Sequence, residues 1–106
     1  MPSYFLQRRN MKKTLDDLIR YVYKKYPYPE TWWAKAHFEK RCTEIYVSEQ
    51  VILKCMDSPF KDPRDIIDAY RFTLIGARKD VTSIDVIKKF NIMLSTLDIL
   101  YKFFGV

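Results

Sequence analysis

Apolar side chains recur along this chain at spacings of three and four residues, the period of a helix with one buried face. Leu15, Leu18, Ile19, Val22 and Tyr26 make the first such stripe. Thr14 precedes it as an N-cap acceptor, and Asp16 and Asp17 occupy the first turn, where the helix dipole favours negative charge. The stripe ends at Tyr26-Pro27-Tyr28-Pro29, because each proline removes a backbone donor and drives the residue before it toward extended backbone. Thr31 is placed to cap a second helix that begins with Trp32 and Trp33. Its broad apolar side reads Phe38, Cys42, Ile45, Tyr46, Ile52, Leu53 and Met56. Val47 and Ser48 lower helix propensity midway and invite a kink, and Asp57-Ser58-Pro59 ends the segment.

Asp62-Pro63 opens a third helix in the same manner, with an acceptor at the cap and proline at the first helical position. Ile66, Ile67, Tyr70, Leu74 and Ala77 form its apolar face, and Arg78-Lys79-Asp80 is the exit. Thr82 or Ser83 caps a fourth helix whose core face is Ile84, Ile87, Phe90, Leu94, Leu97, Tyr101 and Phe104, with Gly105 as the stop. No period-two alternation persists and every connection is short, so neighbouring helices pack antiparallel. The expected fold is all-α: a compact up-down bundle of about four helices forming one domain over residues 12–106, with a short basic arm over residues 1–11.

Composition agrees with a folded chain: 48% of the 106 residues are hydrophobic and only two are glycine, which excludes a disordered or turn-rich protein. No uncharged apolar run approaches the roughly 18 residues of a membrane span, and the first residues lack the apolar stretch of a secretory signal. A cytoplasmic protein without a membrane role is therefore expected. Cys42 and Cys55 fall on one predicted helix, where 13 positions separate their backbones by roughly 20 Å, too far for a disulfide.

Charge changes the picture more than composition does. Residues 1–25 hold seven basic and two acidic side chains, so this quarter carries +5 of the net +6. The basic residues Arg8, Arg9, Lys12, Lys13, Arg20, Lys24 and Lys25 interleave with aromatic rings and are followed by Tyr28, Trp32 and Trp33. Cations of this kind neutralise phosphates and exposed rings stack on unpaired bases, so these ten residues are the candidate contacts for nucleic acid or an acidic partner. Packing accounts for part of the aromatic content, since Tyr26 lies on the apolar stripe. Arg78, Lys79, Lys88 and Lys89 form a second basic group, which extends the first if the two lie close.

Catalytic apparatus is missing from the pattern. His37 is the only histidine, no Glu-x-x-His pair exists for a di-metal site, and neither glycine stands in a phosphate-cradling loop. No enzyme, cofactor or metal is expected. Asp65 and Asp68 suit dipole and ion-pair roles with Arg64 and Arg71, while Glu49 is the anomaly, a carboxylate between Ile45 and Ile52 on the inner stripe. On the fourth helix, Ile92, Ile99 and Phe103 add apolar surface beside the core stripe, the mark of a face shared with another subunit or partner. The sequence thus predicts a non-catalytic helical accessory protein, oligomeric through its last helix, that engages nucleic acid or a nucleoprotein. The alternative is a protein-binding adaptor or inhibitor, for example of a nucleic-acid-processing complex, anchored by its aromatic and apolar helix surfaces.

Overall fold

Residues 13–27 and 35–105 are described by a computed structural model. Four helices follow in order: α1 (Leu15–Lys25), α2 (Lys35–Asp57), α3 (Pro63–Arg78) and α4 (Ile84–Phe103), with no strand among the described residues. The architecture is the all-α bundle expected from the periodicity.

The helix starts follow local chemistry. Thr14 and Asp17 form a reciprocal capping box, in which the Thr14 backbone N–H donates to Asp17 Oδ2 at 2.9 Å and the Asp17 N–H donates to Thr14 Oγ1 at 3.4 Å. Asp62 Oδ1 accepts from the Arg64 N–H at 2.9 Å, with Pro63 at the first helical position. Ser83 occupies the cap of α4 in extended backbone, but its side chain makes no capping hydrogen bond. The expected Thr31 cap and the first residues of the second helix lie outside the described residues. Gly105 follows the end of α4 without a left-handed backbone. Its role is close approach, since a Cβ there would stand 2.8 Å from the Lys102 carbonyl oxygen.

The core forms where α2 meets the other three helices, all of which it contacts. Leu18, Val22 and Tyr26 of α1, Ile45, Val47, Val51, Ile52 and Cys55 of α2, Ile66, Ile67 and Leu74 of α3, and Leu97, Leu100 and Phe104 of α4 make one buried cluster. The weak spot at Val47 and Ser48 does not interrupt α2, because both side chains are fully buried in this junction. Tertiary packing outweighs helix propensity there. The buried hydroxyls are satisfied one turn back: Ser48 Oγ donates to the Glu44 carbonyl at 2.7 Å, Thr43 to Glu39 at 2.9 Å and Thr96 to Ile92 at 2.7 Å. Glu49 is half-buried and engaged within the chain.

Helices α3 and α4 run antiparallel, tied by Arg71 Nη2 donating to Asp98 Oδ1 at 2.7 Å and Arg78 Nη1 donating to Asn91 Oδ1 at 2.9 Å. Several residues read from the sequence as core are instead in water. Tyr46, Leu53 and Met56 lie on the outer side of α2, Ala77 is exposed on α3, and Ile84 at the first turn of α4 is 70% exposed. The reason is geometric: the stripes are wider and longer than the neighbouring helices that cover them. No helix among the described residues is long and apolar enough to cross a membrane.

Candidate functional site

Burying Leu18, Val22 and Tyr26 against α2 fixes the rotation of α1, since successive side chains are 100° apart. Arg20 and Lys24, one turn apart, are thereby turned to solvent, and Lys25 stands on the adjoining flank. Tyr21 lies between these positions, half-buried, with its ring centroid 4.7 Å from that of Phe103 on α4. Lys13 Nζ sits 4.4 Å above the Phe103 ring, and Lys25 Nζ lies 5.5 Å from the Tyr21 centroid. Two lysines of the first segment, Lys13 and Lys25, therefore border one pair of packed rings in cation–π contact.

Of the acidic neighbours, Asp17 and Glu44 are engaged within the chain, while Asp16 is exposed one turn before Arg20 and offsets part of the positive charge. The Thr14 hydrogen bonds hold the Asp17 carboxyl below the usual carboxylate range, and the positive charges of Arg20 and Lys13 act in the same direction. Arg41 of α2 reaches α1 by donating Nη1 to the Lys25 carbonyl at 3.4 Å, and it pairs with Glu44 at 3.8 Å. Its guanidinium lies 5.7 Å from the Tyr26 ring centroid. The sequence reading passed over Arg41 and its neighbour Lys40. Their signal was the Lys40-Arg41 dipeptide in a helix of mixed charge, and only the docking of α2 on α1 shows that it continues the positive face.

A groove of about 270 Å³ lies between α2 and α4, lined by Lys40, Glu44, Asn91, Ile92, Ser95, Thr96 and Ile99. Two of the three residues expected to carry a partner surface, Ile92 and Ile99, line this groove and are half-buried; the third, Phe103, is half-buried against Tyr21. Lys88 is one turn before Ile92 on the same stripe of α4 and is exposed. Arg8, Arg9, Lys12, Tyr28, Trp32 and Trp33 lie outside the described residues. His37 is exposed in the first turn of α2, and no cluster of metal-ligating side chains is found among the described residues.

Two buried acids of the core, Tyr26 and Cys55, carry shifted ionisation. Burial pushes the Tyr26 phenol up to about 12, with the Glu44 carboxylate and Tyr21 adding to the rise and Arg41 opposing it. Burial also pushes the Cys55 thiol up to about 11, aided by Asp62. Both groups therefore stay protonated in the folded chain at a pH where the unfolded chain has lost those protons. Stability from these groups is intact below about pH 9 and falls as pH rises from 9 toward 12. The Tyr26 hydroxyl is buried without a hydrogen-bond partner among the described residues. Tyr26→Phe is therefore expected to leave stability at pH 7 unchanged or raised by about 1 kcal/mol, and to flatten the decline above pH 10. Urea midpoints measured from pH 7 to 12 check both statements; a variant that loses stability at pH 7 contradicts the burial of an unbonded hydroxyl.

Comparison with protein-family models, with curated proteins and with solved structures found no match to this chain.

Proposed function

We propose that this protein is a non-catalytic helical accessory protein that binds nucleic acid or a nucleoprotein through the outer face of α1 and the adjoining cations of α2. The observation that carries this reading is the grouping of Lys13, Arg20, Lys24, Lys25, Lys40 and Arg41 on α1 and the adjoining part of α2. Asp17 there is tied into a helix cap and Glu44 is paired with Arg41. Cations on rigid helices neutralise phosphates and release counterions, while the edges of Tyr21 and Phe103 between them suit contact with sugars or unpaired bases. The protein would act in the cytoplasm, where the free Cys42 and Cys55 thiols remain reduced.

The test is fluorescence anisotropy with labelled single-stranded and double-stranded oligonucleotides across a salt series. Neutralising about five phosphates of a duplex gives a slope of log affinity against log salt near −4.5, a loss of several hundredfold between about 50 and 200 mM salt. Absence of binding to either probe at 50 mM salt defeats the proposal.

A second reading, a protein-binding adaptor, draws on the groove between α2 and α4. Ile92 and Ile99 supply an apolar floor there, and Lys40 supplies a charge for a polar segment of a partner. Under this reading Ile99→Asp abolishes partner binding while helix content by circular dichroism is kept, and binding that survives the substitution removes the groove from consideration.

A further inference from the structure

The core accounts for one side of α3 only. Ile66, Ile67 and Leu74 are buried, and Arg71 and Arg78 tie the helix to α4. On the side facing away, Phe72 is 81% exposed and Ile75 beside it is 39% exposed. An exposed phenylalanine in the middle of a regular helix, away from any turn, is apolar surface that the described residues leave uncovered.

The residues around Phe72 follow a pattern. Asp65, Ala69, Phe72, Gly76 and Lys79 succeed one another at spacings of four, three, four and three, the seam of a two-helix packing. Lys79 keeps right-handed helical backbone just past the last residue of α3, so it stays on this line. The seam is symmetric in size, with a large ring at its centre and a small residue on each side. It is antisymmetric in charge, because Asp65 and Lys79 each stand seven residues, or about 10.5 Å, from Phe72 in opposite directions. Both are exposed, and neither takes part in an ion pair among the described residues.

Gly76 adds an independent observation. Glycine within a helix is less favourable than alanine, so a chain that keeps one has a use for the missing methyl. Among the described residues there is none: the backbone of Gly76 is not left-handed, and a Cβ built on it meets nothing within 4 Å. Gly76 is exposed on the same side of the helix, one turn after Phe72.

We propose that the outer face of α3 is a self-association surface on which α3 of a second copy docks antiparallel, about a two-fold axis passing at Phe72. In that arrangement each Asp65 faces the partner subunit's Lys79, and each Phe72 ring enters the space beside the partner subunit's Ala69 and Gly76. A two-fold makes the contact self-complementary, so every favourable pair occurs twice and the assembly closes at two chains. An interface one helix wide falls at the small end of specific contacts, so the dimer dissociates on dilution. This surface is separate from the face of α1, and the proposal stands whether or not the chain binds nucleic acid.

Sedimentation velocity of the full chain, without nucleic acid, from low micromolar to several hundred micromolar concentration tests it. The wild-type mass is expected to rise from one chain to two across that range. Phe72→Glu is expected to hold the mass at one chain throughout with unchanged circular dichroism. Gly76→Leu should also weaken the dimer while its monomer melts no lower, because leucine favours the helix and only the partner meets it. Asp65→Lys alone or Lys79→Asp alone should weaken association by about tenfold, since each change places two pairs of like charges together. Both changes in one chain should restore it, because opposite charges then face each other again. A wild-type chain that stays monomeric at every concentration, or a Phe72→Glu variant that dimerises as the wild type does, overturns the proposal. So does a double swap weaker than either single swap. If Ile99→Asp dissociates a dimer that Phe72→Glu leaves intact, the last helix is the interface and α3 is not.

Discussion

Reversing Arg20, Lys24 and Lys25 to glutamate is expected to lower duplex affinity by more than a hundredfold at about 50 mM salt, and to bring the salt slope from near −4.5 to near −2. Each lost phosphate contact subtracts about 0.9 from the slope, and the reversed charges then repel the remaining phosphates. The fold should survive, since all three side chains are exposed and the carbonyl that Arg41 uses belongs to the Lys25 backbone. One cost is foreseeable: glutamates at positions 24 and 25 stand in the last turn of α1, where the helix dipole disfavours negative charge by about 0.3–1 kcal/mol each. The corresponding glutamine triple variant avoids that penalty and is expected to lose the same three contacts, with a smaller drop in affinity. Titrations of both variants beside their thermal melts separate lost binding from lost structure. Affinity unchanged in a folded glutamate variant would remove α1 from the interface.

Leu97→Ala is expected to destabilise the domain by about 2–5 kcal/mol, while Ile84→Ala changes stability by no more than about 0.5 kcal/mol. The two residues belong to the same helix and to the same apolar stripe in the sequence. Leu97 is fully buried where α4 meets the rest of the core, so truncation leaves a cavity lined by side chains held in place by three helices. Ile84 is 70% exposed at the first turn of α4, and shortening it removes surface that water already covers. Urea denaturation of the two variants measures the difference directly. A loss at Ile84 equal to that at Leu97 would mean that α4 is covered along its whole length.

Local chemistry was legible before the structure. The capping box at Thr14 and Asp17 and the Asp62-Pro63 start each depend on atoms within four residues, and they form as read. Helix α2 runs on through Val47 and Ser48 because tertiary packing buries both residues fully, a fact no local propensity contains. Within the site, Arg20 and Lys24 were recognisable as one face from their spacing. The contribution of Arg41 was not, because it depends on a hydrogen bond to a carbonyl 16 residues earlier. Phe103, expected to lie on a face shared with another subunit or partner, is half-buried within the chain, where Tyr21, distant in sequence, packs on it at 4.7 Å.

Periodicity and capping by themselves therefore determined that the described residues form four helices, where most of them start and stop, and which residue types each face offers. Tertiary packing alone decided that α2 contacts all three other helices, that Tyr46, Leu53, Met56 and Ile84 are left in water, and that α2 docks Arg41 on the cationic end of α1. The physical reason is that a hydrophobic stripe records a helix's need to be covered without recording by what. Covering depends on the lengths, rotations and positions of the other helices, which the chain specifies only jointly.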